Sequence, residues 1–204
     1  MEMADELLRQ QDELQSEANA VCSDLRLDEL LSGAGQPVRV GSSALGLMVR
    51  RDVDITVICA ELDPATAEAV AGIGARLALH QRVRQVRFRD DTGHWNTDPG
   101  YPDGLYLGVD YRCAPGQDWN LDIWFVDEPG RQPDLAHLTT LAPRLTPDAR
   151  IAILRIKQAC ADRGASVRGI DVYRSVLDDQ VRTPEQFEQS RSADQPARDP
   201  EAPH

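Results

Sequence analysis

Asp52 and Asp54, two aspartates separated by one hydrophobic residue, are the side chains of this sequence with the clearest chemical potential. On a β-strand, residues i and i+2 point to the same face, so these carboxylates would project side by side. Carboxylates at such spacing repel one another unless a cation lies between them. A hard divalent ion is the cation that oxygen ligands favour. The pair therefore predicts a metal site.

A Gly-Ser step, Gly41-Ser42, precedes this pair and enters a short apolar segment that could begin a helix. The first N–H groups of a helix have no partner within the helix, and such groups bind phosphate. A phosphate site beside a metal site predicts chemistry on a metal-bound nucleotide. Simpler interpretations stay open: an ordinary strand-to-helix turn at Gly41-Ser42, and a turn leading into a strand at Asp52-Val53-Asp54.

The best candidate for a third carboxylate is Asp122, a lone charge inside the apolar segment 119–126. An unpaired carboxylate within a buried strand is costly, so its presence needs a reason. Leu121, Ile123 and Phe125 share one face of this strand, which leaves Asp122 on the other. If this strand lies beside the strand of Asp52 and Asp54, the three carboxylates converge. The alternative is a solvated acid on an edge strand.

The length fits one medium-sized domain, or a core with a small helical appendage. The chain has 204 residues and a formal net charge of −12, and its acidic residues are concentrated at the two ends. The body is only mildly acidic, which argues weakly against a nucleic-acid partner and is compatible with a cationic small substrate. No apolar run approaches a membrane span, and the N-terminus lacks the features of a signal peptide. The sequence predicts a cytoplasmic protein with reduced cysteines.

Hydrophobic periodicity predicts an α/β fold of the α+β type, with a mixed sheet followed by a helical bundle. A helical N-terminal segment covers residues 1–32, an α/β core covers 33–130, a helical region covers 131–190 and a disordered tail covers 191–204. Period-2 patterning at 105–113 and 119–126 predicts a hairpin. Thr-Pro steps at 146–147 and 183–184 predict helix starts.

The order Gly41-Ser42, Asp52-Val53-Asp54-Ile55 and Leu121-Asp122-Ile123 resembles the polymerase-beta-type nucleotidyltransferase superfamily, over roughly residues 37–126. In size and layout the chain is similar to the small antibiotic-modifying adenylyltransferases. The resemblance implies a nucleotidyltransferase-like core and two Mg²⁺ ions, for which Mn²⁺ can substitute. It also implies that a hydroxyl attacks the α-phosphorus of a nucleoside triphosphate and that pyrophosphate leaves.

Residue by residue, the resemblance implies that Asp52 and Asp54 hold both metal ions, whereas Asp122 holds the ion at the acceptor and helps to take its proton. Gly41, Ser42 and the neighbouring Ser43 would bind the β- and γ-phosphates. Outside these motifs, Lys157 is the only lysine of the chain, and its compact ammonium suits a triphosphate. A solvated position on an amphipathic helix explains Lys157 equally well.

Several residues have two interpretations that the sequence leaves open. Arg50 and Arg51, next to the aspartate pair, could pair with phosphates or brace the carboxylates, and bracing is the expected role. The basic residues of segment 82–89 suit either a polyanion or a solvated edge strand. The three tryptophans could stack a base, although core packing is the expected role of Trp119 and Trp124.

The resulting hypothesis is a cytoplasmic, Mg²⁺-dependent nucleotidyltransferase. Its partners are a nucleoside triphosphate, expected to be ATP, and a small hydroxyl-bearing acceptor, and its oligomeric state stays open. Two alternatives stay open. One is transfer to RNA ends or to a protein, which the Arg-rich segment favours; the other is a nucleotide-binding module without catalysis.

Overall fold

The computed structural model of this chain describes residues 2–114 and 116–194. The described residues divide into two compact units, one within residues 9–143 and the other formed by residues 2–8 together with residues 144–194. The domain boundaries expected at 32/33 and 130/131 differ from this division, because most of the N-terminal helix and residues 131–143 belong to the larger unit. Of the tail predicted at 191–204, residues 191–194 complete a helix and the rest lies outside the described residues.

The larger unit contains a five-stranded sheet and the helices that follow or precede its strands. In chain order the elements are α1 (Glu2–Asp24, whose first turns belong to the other unit), α2 (Leu27–Leu31), β1 (Gln36–Val40), α3 (Gly41–Leu45), β2 (Asp52–Ile58), α4 (Pro64–Ala78), β3 (Val83–Asp91), β4 (Gly104–Arg112), β5 (Asp118–Val126) and α5 (Pro133–Thr140). These bounds confirm the mixed α/β character and the β4–β5 hairpin that the sequence predicts.

The strand order across the sheet is β1-β2-β5-β4-β3. Strands β2 and β5 run parallel, whereas the other neighbouring strands are antiparallel. Because β5 inserts next to β2, residues far apart in sequence become direct neighbours. The parallel register pairs Asp54 with Asp122 and Asp52 with Asn120.

One face of this sheet is the hydrophobic core, and alternation along the strands leaves the other face for polar side chains. Leu121, Ile123 and Phe125 of β5 are fully buried. Val53 and Val57 of β2 join the same cluster, together with apolar residues of α1 and α4. The intervening positions on both strands, which include all three predicted metal ligands, therefore face away from this core.

Helix α4 begins at an aspartate cap followed by proline. The carboxylate of Asp63 accepts a hydrogen bond from the backbone N–H of Thr66 at 2.7 Å, and Pro64 occupies the first turn. These N–H contacts lower the pKa of Asp63. The aspartate cap accepts a backbone N–H group of the first turn that has no partner within the helix. Proline at the first helical position lacks an N–H group that would be unpaired there anyway, so no helical hydrogen bond is lost. Together the two residues fix the start of the helix.

The smaller unit contains three helices of the C-terminal region: α6 (Pro147–Asp162), α7 (Gly169–Leu177) and α8 (Pro184–Asp194). Thr146 caps α6 by accepting the N–H of Ala149 at 3.2 Å. Their apolar faces bury Ile153, Val172 and Phe187. The helix starts that the two Thr-Pro steps predict are thus confirmed.

None of the helices within residues 2–114 and 116–194 combines the length and the apolar character that crossing a membrane requires. The four cysteines, Cys22, Cys59, Cys113 and Cys160, are all free thiols, as predicted.

Candidate metal centre and nucleotide site

Three carboxylates meet on the polar face of the sheet. Asp52, Asp54 and Asp122 each offer one oxygen, and these oxygens all lie within 4.8 Å of one another. Strand periodicity puts the first two on one face, and the parallel pairing of β2 with β5 puts Asp122 directly opposite Asp54. All three side chains are half-buried. The predicted convergence of the three carboxylates is confirmed.

The chemistry of this donor set fits a hard divalent cation. Three carboxylates at such separation concentrate negative charge, which is costly without a counter-ion. Oxygens bound to one Mg²⁺ lie about 2.1 Å from it, so two ligands on opposite sides of the ion are about 4.2 Å apart. The 4.8 Å limit on the separations is therefore close to the geometry of shared ligation, and small side-chain rotations suffice to reach it.

Gly41 lies directly against the carboxylate of Asp54. Its backbone has φ of +64°, in the left-handed region that favours glycine. A Cβ atom at this position would lie 2.1 Å from Asp54 Oδ2 and 2.8 Å from its Cγ. A glycine is therefore required here on two grounds, backbone conformation and space, and the start of α3 is held next to the carboxylate cluster.

Ser42 and Ser43 follow in the single turn of α3. The Ser42 carbonyl accepts the N–H of Leu47 at 2.9 Å, and Gly46 ends the turn with φ of +66°. The Ser42 side chain is half-buried, whereas that of Ser43 is buried and its hydroxyl donates to the Val40 carbonyl at 3.4 Å. Of the two serines, Ser42 is thus the more accessible for the predicted phosphate contact; for both residues the contact stays a prediction.

Tyr106 on β4 was not among the predicted site residues. Its hydroxyl donates a hydrogen bond to Asp122 Oδ1. The phenol reaches this carboxylate across Gly108, the register partner of Asp122, where a Cβ would lie 2.6 Å from the Tyr106 oxygen. Burial, followed by the interaction with Asp122, raises the pKa of Tyr106 well above its usual value, so the phenol remains a donor at neutral pH.

Trp124 also belongs to this face, which corrects the expectation that it packs in the core. It is half-buried, and its ring lies 5.0 Å from that of Tyr106 between centroids. The guanidinium of Arg89 lies over both rings, at 4.8 Å from Tyr106 and 5.4 Å from Trp124. Trp119, by contrast, is fully buried, as expected of a core residue.

The structure also shows the contacts of two basic residues for which the sequence suggests a role. Arg51, expected to brace the carboxylates, instead pairs with Glu17 of α1 through Nε and Oε2 at 2.9 Å. Lys157 lies on α6 in the smaller unit, where its Nζ is 3.3 Å from the hydroxyl of Tyr173 and 5.5 Å from the centre of that ring. Its predicted contact with a triphosphate stays a prediction.

Comparison with solved structures identifies the fold. A mutant of the Cid1 poly(U) polymerase bound to MgATP aligns with a TM-score of 0.59 at 15% identity, covering 87% of this chain and 55% of that one. A structure addressing the RNA terminal uridylyl transferase activity of Cid1 aligns with a TM-score of 0.53 at 16% identity, covering 86% of this chain and 52% of that one. Cid1 in complex with its short product ApU aligns with a TM-score of 0.50 at 17% identity, covering 81% of this chain and 48% of that one.

No family model and no curated protein matches this chain. The fold resemblance is therefore carried by the structures alone, and the chain spans about half the length of the solved proteins that it matches. These proteins have the polymerase-beta-type nucleotidyltransferase fold, so the fold predicted from Gly41-Ser42, Asp52-Val53-Asp54 and Asp122 is confirmed.

Proposed function

We propose that this protein is a Mg²⁺-dependent nucleotidyltransferase, which transfers a nucleoside monophosphate from a nucleoside triphosphate to a hydroxyl group and releases pyrophosphate. The observation that carries this proposal is the meeting of Asp52, Asp54 and Asp122 oxygens within 4.8 Å of one another. The fold shared with Cid1, one form of which is bound to MgATP, supports the same assignment.

In the proposed reaction, the acceptor oxygen attacks the α-phosphorus as the bond to the pyrophosphate oxygen breaks. Asp52, Asp54 and Asp122 would hold divalent ions, whose charge would offset that of the attacking and leaving oxygens. Asp52 and Asp54 would hold the metal-bound triphosphate, while Asp122 would orient the acceptor hydroxyl and receive its proton. The backbone at Gly41 and Ser42 would hold the β- and γ-phosphates. The protein thus contributes positioning and preorganised charge rather than covalent chemistry.

For the acceptor we propose the terminal hydroxyl of RNA rather than a small molecule. The small hydroxyl-bearing acceptor predicted from the sequence has no support among the structural matches. One of the matching structures concerns the RNA terminal uridylyl transferase activity of Cid1, and another contains Cid1 with its short product ApU. The mildly acidic body, which suggested a cationic acceptor, is a weaker argument, because charge sums do not locate the charges that face the site.

The test is pyrophosphate release with each of the four nucleoside triphosphates and Mg²⁺, in the presence of single-stranded RNA or of small hydroxyl compounds. We expect pyrophosphate release that depends on RNA, together with RNA products lengthened by added nucleotides. Both pyrophosphate release and RNA extension should be lost in Asp54→Asn. Release that persists in Asp54→Asn would contradict the mechanism. Metal-dependent nucleotide binding without any pyrophosphate release would instead identify a non-catalytic binding module.

A further inference from the structure

A cleft of about 510 Å³ lies in the larger unit, between the loop that follows β3 and the polar face of the sheet. Its wall includes Trp124, which follows Asp122 by two residues on β5 and so shares its face of the sheet. At a rise of about 3.3 Å per residue, the Cα atoms of these two residues are about 7 Å apart. A group bound in the cleft is therefore next to the position where the acceptor hydroxyl must lie.

Three aromatic side chains line this cleft: Trp95, Tyr101 and Trp124. Trp95 is 62% exposed and Tyr101 is 42% exposed. Large apolar side chains that stay exposed together beside a concave site indicate a binding surface. Flat aromatic faces suit a nucleobase, because every base presents a π-face to stack on.

The loop that carries Trp95 and Tyr101 is held in place by its own polar contacts. The Asp103 carboxylate accepts the N–H of Gly93 at 2.8 Å and the side-chain amide of Asn96 at 3.0 Å. These donors lower the pKa of Asp103. The Asn96 amide also donates to the Tyr101 carbonyl at 3.3 Å. Such a loop is preorganised, so binding costs less ordering entropy than a loose loop would.

The acidic residues lining the cleft are engaged within the protein. Asp91 pairs with Arg89 at 2.7 Å, and Asp98 accepts the N–H of Gly100 at 2.9 Å. Asp134 faces His137, and burial raises the pKa of its carboxyl group. These carboxylates therefore oppose an anionic ligand less than their number suggests.

Arg87 is a cationic side chain within reach of a phosphodiester that precedes a nucleoside bound at Asp122. Arg87 on the edge strand β3 is the register partner of Gly108, which in turn pairs with Asp122. With strands spaced about 4.8 Å apart, the Cα of Arg87 lies about 10 Å from that of Asp122. The phenol of Tyr106 lies over the intervening Gly108, so a phosphodiester at Arg87 would lie on the outer side of this ring. Arg87 is exposed and forms no ion pair within the part of the chain that the structure describes.

We infer that this cleft binds the terminal nucleoside of a single-stranded RNA acceptor. The base stacks among Trp95, Tyr101 and Trp124, the preceding phosphodiester contacts Arg87, and the terminal hydroxyl is thereby directed to Asp122. This assignment rests on the proposed function. It adds the substrate's binding surface, in which stacking and cationic contacts combine as in other sites for single strands.

The test is the affinity for a 5′-labelled single-stranded RNA of about ten nucleotides, measured by fluorescence anisotropy in Trp95→Ala and Tyr101→Ala. Loss of one stacking partner should weaken binding about tenfold. Phe88→Ala is the matched aromatic control, because Phe88 is 46% exposed but lies on the opposite face of the sheet. We expect it to bind like the wild type. Equal affinities for Trp95→Ala and Phe88→Ala would overturn the assignment.

The contact with the phosphodiester has its own readout. Arg87→Ala should reduce the slope of log affinity against log salt by about one unit, while Arg76→Ala, on the far side of the sheet in α4, should leave it unchanged. The same slope in both variants would overturn the role of Arg87. Circular dichroism and thermal unfolding verify that each variant is folded.

Failure of this inference and failure of the proposed function give different results. If the wild type releases pyrophosphate with RNA and Trp95→Ala binds RNA normally, the cleft assignment is wrong and the reaction stands. If RNA binding depends on Trp95 but no pyrophosphate is released, the binding site is supported and the proposed reaction is wrong.

Discussion

Asp54 and Asp122 are register partners on the parallel strands β2 and β5, and the oxygens that they and Asp52 offer lie within 4.8 Å of one another. Asp54 and Asp122 are 68 residues apart in sequence, so only the insertion of β5 beside β2 creates the cluster. Everything else that we assign to this face is positioned around it: Gly41 against Asp54, and Tyr106 against Asp122.

Tyr106→Phe tests whether the phenol positions Asp122. Removing the hydroxyl should leave the fold intact and weaken the apparent affinity for Mg²⁺ by about tenfold. Loss of a hydrogen bond to a metal ligand commonly has an effect of this size. Because the pKa of Tyr106 is raised, its phenol stays protonated, and the ratio of wild-type to variant activity should be constant between about pH 6 and pH 9. An unchanged Mg²⁺ dependence would contradict this role.

Gly41→Ala should disable the site rather than merely destabilise the protein. The added Cβ would lie 2.1 Å from Asp54 Oδ2, so the carboxylate must move. Gly164→Ala is a matched control, since Gly164 has φ of +66° and open space around it. Both variants should lose stability, by about 1 kcal/mol from backbone strain alone. Only Gly41→Ala should also lower pyrophosphate release by about a hundredfold or more; equal activities would show that the clash is harmless.

Lys157→Met tests the predicted contact of Lys157 with the triphosphate. If this ammonium binds phosphate, the KM for the nucleoside triphosphate should rise about tenfold, because a charged hydrogen bond is lost. Lys157→Arg, which keeps the charge, should recover part of the affinity. An unchanged KM, with a loss of thermal stability instead, would assign Lys157 to its contact with Tyr173.

Cys59 provides a prediction about pH and stability. Burial, together with the nearby Asp127 carboxylate, raises the pKa of this thiol from 9.0 to about 11. A raised pKa means that the neutral thiol is favoured in the folded state. Its stabilising contribution is therefore full below about pH 9 and is lost as the pH rises to about 11.

In urea unfolding, the free energy of the wild type should fall between about pH 8 and about pH 10.5 by roughly 2 kcal/mol more than that of Cys59→Ala. Equal losses in the two proteins would show that Cys59 ionises as it does in the unfolded chain.

The carboxylate cluster could be predicted because its signals are local. Alternation along a strand decides that Asp52 and Asp54 share a face, and a lone charge among Leu121 and Ile123 marks Asp122 as functional. The Gly-Ser step was recognisable for a similar reason, since the positive φ of Gly41 is a local requirement for glycine.

The rest of the site depends on register between strands, which a single sequence does not fix. Tyr106 and Trp124 meet because their strands pair at these positions, and only that pairing reveals Trp124 as a site residue rather than a core residue. The predicted hairpin could have indicated Tyr106 if its two strands had been paired outward from the turn. Gly108 is the partner of Asp122, and Tyr106 lies two residues from Gly108 on the same face of the strand. The partner of Arg51 was likewise unpredictable, because Glu17 is 34 residues away on another element.

The most direct test of the central claim is Mn²⁺ binding, followed by electron paramagnetic resonance with a non-hydrolysable nucleoside triphosphate present. Asp118→Asn is the matched control, because Asp118 is an exposed carboxylate on the same strand as Asp122 and pairs with Arg112. We predict that the wild type and Asp118→Asn bind two ions per chain, and that Asp54→Asn and Asp122→Asn each weaken binding by about tenfold or more. Binding in Asp54→Asn and Asp122→Asn that matches Asp118→Asn would contradict the account.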